Sequence, residues 1–134
     1  METLKTLTGV NEYSITINAV DATSTTAADL NAINALTSVP VNLTNVIALA
    51  ESSLSDLDTL AAAITDNEFS SVAGIATLAV SDITIDASAL ASTIDSYDEI
   101  NGEGTTGMTL AAGATINVDA VSYTHLTLPT TPYV

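Results

Sequence analysis

Residues 13–36, YSITINAVDATSTTAADLNAINAL, decide how the rest of the chain is read. Ile15 and Ile17 alternate with Thr16 and Asn18, the period-two pattern of a strand with one covered face. A run of small residues leads to Thr26-Ala27-Ala28-Asp29, a capping box in its short acidic form. The Thr26 hydroxyl is placed for the third amide of a helix, and the Asp29 carboxylate is placed to reach back. Leu30, Ile33 and Leu36 then follow at helical spacing, which makes one stripe of that helix apolar.

The same formula recurs. Ser53-Leu54-Ser55-Asp56 precedes Leu57, Leu60 and Ile64, predicting a second helix over 54–65 that breaks at Asp66-Asn67. Ser92-Thr93-Ile94-Asp95 precedes Tyr97 and Ile100, predicting a third over 93–101, its stripe offset by one residue. SITIN at 14–18 returns as DITID at 82–86, about 68 residues later, a distance suited to a double unit of a repeat.

Between these landmarks, Pro40 marks the start of a strand in which Val41 and Leu43 point inward, with Ile47 and Leu49 continuing after a bend. Phe69, the only Phe, is expected as a core plug beneath a connector. Residues 75–80 and 82–86 form one bent strand or two short ones, and residues 108–119 supply a last strand pair. GEGTTG at 102–107 has neither a following GK[ST] nor a helix opening after it, so it reads as a helix end and turn, not a phosphate cradle. Residues 1–11 are expected to close a preceding unit. The units then fall at about 13–38, 39–75, 76–107 and 108–120, a fragment of an array.

Composition narrows the function. The 134 residues are 47% hydrophobic but only 4% aromatic, favouring thin, regular apolar layers over a globule built around large rings. Sixteen Asp and Glu face one basic residue, Lys5, and the net charge is −15. Such a chain has nothing to neutralise phosphates, so nucleic acid is excluded as a partner, and anionic membranes would repel it. The chargeless stretch 30–50 holds several Asn and Pro40, which argues against membrane insertion. The N-terminus has no apolar core segment and does not read as a signal peptide. With no Cys there are no disulfides and no thiol chemistry.

Catalysis has few tools here. His125 is the only His and lies in an anomalous tail described below; no Arg or Cys is present. Ser–His–Asp and Cys–His machinery therefore cannot be assembled, and zinc, haem and iron–sulfur ligands are missing. Paired carboxylates alone remain, without aromatic platforms for sugar, and the chain is expected not to be an enzyme. No cofactor is expected beyond calcium. Its weak candidates are Asp98, Glu99 and Glu103, with Asp66 and Glu68, although neither the EF-hand loop nor the glycine-rich calcium nonapeptide occurs. Asp29, Asp56 and Asp95 are better explained as helix-start residues facing the helix dipole.

TLTGVNEYSITINAVDATSTTAADLNAINAL, and again DITIDASALASTIDSYDEING, resemble repeats of giant adhesin-like polypeptides secreted or displayed by marine bacteria and cyanobacteria. SVPVN stands where that family has a TTGxV turn, and residues 50–80 match it poorly. The resemblance implies a structural or adhesive segment of a large extracellular or cell-surface protein, whose partners are neighbouring repeats of the same chain. It carries over no catalytic or binding residue. A second resemblance concerns residues 121–134, VSYTHLTLPTTPYV, which look like a translated sequencing-library adapter. On that reading the tail is an artefact of a metagenomic fragment, and the natural protein continues past Asp119.

The architecture expected from all this is an α/β repeat solenoid of strand–helix units with stacked, mostly parallel strands. A parallel β-helix is the structural rival. The functional rival is a calcium-dependent extracellular binding module.

Overall fold

The computed structural model describes residues 11–18, 24–72, 75–101 and 107–118. Expectations that fall on residues 1–10, on most of the GEGTTG turn with Glu103, or on the adapter-like tail 121–134 lie outside them.

Helix α1, Ala27–Asn34, starts where the capping box puts it. The Asp29 N–H donates to Thr26 Oγ1 at 3.1 Å, and the Thr26 N–H donates back to the Asp29 carboxylate at 3.5 Å. Ala27, Leu30 and Ile33 are buried along its inner stripe. Helix α2, Leu54–Thr65, covers the span its sequence predicts and buries Leu57, Leu60, Ala61 and Ile64. At its start the Asp56 N–H donates to Ser53 Oγ, and that hydroxyl donates to the Asp56 carboxylate. At its end Asn67 takes a left-handed conformation, φ 62°. The Asn67 N–H donates to the Ile64 carbonyl and the Glu68 N–H to the Ala63 carbonyl. These two bonds close a Schellman motif with Asn in the position usually held by Gly.

Helix α3, Ala87–Asn101, corrects the third prediction. It begins six residues before Thr93, because Ala87–Leu90 are helix-compatible and contain no breaker, and because Asp86 supplies the cap. The Asp86 Oδ1 accepts the N–H groups of Ser88 and Ala89 at 2.8 and 3.0 Å. The supposed box Ser92-Thr93-Ile94-Asp95 therefore lies inside the helix, where the Thr93 hydroxyl sits 3.0 Å from the Ala89 carbonyl one turn back. The stripe that faces inward is Leu90, Thr93, Tyr97 and Ile100, with Thr93 and Tyr97 fully buried.

The strands are short: β1 Val41–Asn42, β2 Phe69–Ser70, β3 Thr77–Val80, β4 Thr84–Asp86, β5 Gly107–Leu110 and β6 Thr115–Asn117. They pair in parallel as β1 with β2, β3 with β5 and β4 with β6. The last two strands thus do not pair with each other as the sequence suggested; each joins an earlier strand. This topology overturns the expected solenoid. The strands do not stack into a common sheet but form three separate two-stranded sheets, in a small mixed helix and strand structure. The β-helix rival fails as well, since the helices hold more residues than the strands.

The sequence repeat of SITIN and DITID is also not structural equivalence. The first copy makes only an isolated bridge, Thr16 to Asn42, whereas the second contributes strand β4. Ile85 is buried but Ile83 is 66% exposed. Side-by-side partners lie roughly 26 to 31 residues apart instead, from Asn11 beside Thr37 to Thr84 beside Thr115. Two to four residues per strand cannot enforce a longer period, so the local strand–helix crossover length sets the spacing.

A single apolar cluster runs through the middle from Ile17 to Tyr97. Val41 and Leu43 point inward and Phe69 is buried, as their pattern predicts, while Ile47 is exposed. Helix α1 packs on α2 and α2 on α3.

Polar ties bind α1 and α2 each to the next segment. Ser52 Oγ accepts the Ala27 N–H, the first of helix α1, at 2.9 Å and donates to the Ala50 carbonyl. Asp82 accepts the Leu54 N–H, the first of helix α2, at 2.7 Å. In α1 and α2 the own cap closes the third N–H and the neighbour closes the first, two of the four that a helix start leaves open.

Replacing Ser52 with Ala should strand the Ala27 N–H in a buried setting and cost about 1–3 kcal/mol. Thr26→Ala should cost about 1 kcal/mol, and Leu57→Ala about 2–5 kcal/mol. Urea unfolding monitored by circular dichroism checks the three together, with the midpoint moving and the slope unchanged.

Candidate functional site

A surface groove of about 540 Å³ lies between α2 and α3. One wall carries Asp58 and Ala62 on α2 and Asp66 just past its end, spaced four apart; the other carries Ser92, Ser96 and Glu99 on α3. Ala61 and Ile100 line it as well. A second groove, about 530 Å³, runs past the ends of α1 and α2 and is lined by Asn34, Pro40, Asp66, Asn67 and Glu68 among others.

The calcium candidates separate on these surfaces. Asp66 borders both grooves, Glu99 only the first and Glu68 only the second. Asp98 is half-buried on α3 and borders neither, and Glu103 lies outside the described residues. Glu68 already receives the Asn34 side-chain amide at 2.5 Å. Asp58, absent from the candidates, is the carboxylate that the fold adds beside Asp66 and Glu99. Its signal was present in the sequence as the eight-residue spacing, two steps of four, from Asp58 on the predicted helix to Asp66 at its end. Among the described residues, no three carboxylate or imidazole side chains gather closely enough to hold a metal ion.

Asp58 has a structural duty instead. Its Oδ1 accepts the Thr93 hydroxyl at 2.6 Å, joining α2 to α3. One turn further along α3, the Tyr97 hydroxyl donates to the Leu57 carbonyl at 3.1 Å from a fully buried position. Burial, and secondarily the nearby Asp58 charge, push the Tyr97 phenol well above its ordinary range. Asp86 shifts the other way. The Ser88 hydroxyl lowers it most, the Ala89 N–H adds to this, and slight desolvation opposes both. These are groups that hold helices in place; neither borders a groove.

No described helix is long and apolar enough to cross a membrane. No protein-family model matches the chain, and neither a curated protein nor a solved structure matches it.

The shifts fix two pH limbs. Tyr97 holds its proton more tightly folded than unfolded, so its contribution is complete below about pH 10 and is lost as pH rises beyond it. Tyr97→Phe should flatten that alkaline decline while removing one buried hydrogen bond, a loss of about 1 kcal/mol at neutral pH. Asp86 stays ionised more readily when folded, so its contribution is complete above about pH 4 and is lost as pH falls through the lowered folded value. Asp86→Asn keeps a capping side chain and should flatten the acid limb with little change at pH 7. Melting temperature against pH for the parent and both variants checks each limb.

Proposed function

We propose that this chain is a structural or adhesive segment of a large extracellular or cell-surface protein. One observation supports the reading above the others: buried apolar residues and polar ties are shared between consecutive segments, not gathered around a cleft. Leu30, Leu57 and Tyr97 lie in one cluster that runs from segment to segment, and it meets the first groove only at Ala61 and Ile100. A body built this way is held together between its segments and presents its side surfaces. Its acidic exterior, with 16 carboxylates against one basic residue, suits a saline medium, where screening falls from about 8 Å to about 3 Å as salt rises from 0.15 to 1 M. The resemblance of the strand–helix sequences to adhesin-like repeats points the same way.

The alternative is a calcium-dependent extracellular binding module. The groove between α2 and α3 favours it to the extent that Asp58, Asp66 and Glu99 border one space. Calcium has the oxygen chemistry for such a site, but it requires six to eight ligands.

Titrating calcium against melting temperature distinguishes the two readings. A structural segment should respond to calcium as to magnesium at equal ionic strength, with a small, unsaturated rise. A saturating, calcium-selective rise that disappears in Glu99→Gln and Asp66→Asn would establish the binding module.

A further inference from the structure

We draw no further inference here: the strongest candidate, the groove between α2 and α3 that Asp58, Asp66 and Glu99 border, belongs to the site already described and is a cluster of acidic side chains beside small residues, with no second feature that points to a ligand.

Discussion

A helix that starts in the interior of a protein must find partners for N–H groups that its own backbone cannot satisfy, and here this constraint ties the segments together. Thr26 and Ser53 each close the third N–H of their own helix. The first N–H is closed from outside, by Ser52 for α1 and by Asp82 for α2. A short polar side chain of the following segment therefore completes the helix that belongs to the segment before. Apolar burial supplies most of the driving force, yet it is indifferent to small slides of one layer on another. The borrowed cap is not, because a hydrogen bond fails within about half an ångström of misplacement. Burial holds the layers together, and the caps set their register.

The same economy explains where an acidic chain puts its negative charge. Negative charge is placed where backbone dipoles welcome it: Asp29, Asp56 and Asp86 all stand at helix starts. None of the three helices has a basic residue in its last turn. Helix α2 instead ends in a turn of backbone hydrogen bonds with Asn67 left-handed. The contact between α2 and α3 is likewise fastened by hydroxyls, with Thr93 on Asp58 and Tyr97 on the Leu57 carbonyl.

Local grammar was legible in the sequence and long-range arrangement was not. Capping boxes at Thr26 and Ser53, the Asp66-Asn67 break, and the inward Val41, Leu43 and Phe69 all rest on contacts within a few residues, where pattern and physics coincide. The third box misled because Ser, Thr and Asp are common in this chain, and their spacing inside a helix is the same as at its start. Asp86, the working cap, was hidden by its place at the end of a strand pattern. The recurrence of SITIN as DITID suggested a stacked array, but strand similarity over five residues says nothing about which strands pair. That choice depends on the crossover lengths, and these bring together partners under half that distance apart. The groove carboxylates show the same divide. Asp58 and Asp66 could be placed on one helix face from spacing alone, whereas the approach of Glu99 depends on how α3 lies on α2.

Partners that are always about 30 residues apart bear on how the chain reaches its structure. Closing a loop becomes dearer only slowly with its length, and here the length stays between 26 and 31 residues as the chain extends. Each new segment meets a finished surface, already made by the residues synthesised just before it. Order can therefore advance from the N-terminal side at the pace of the ribosome, with little stretch of unfolded polypeptide waiting for a distant mate and correspondingly little opportunity to aggregate.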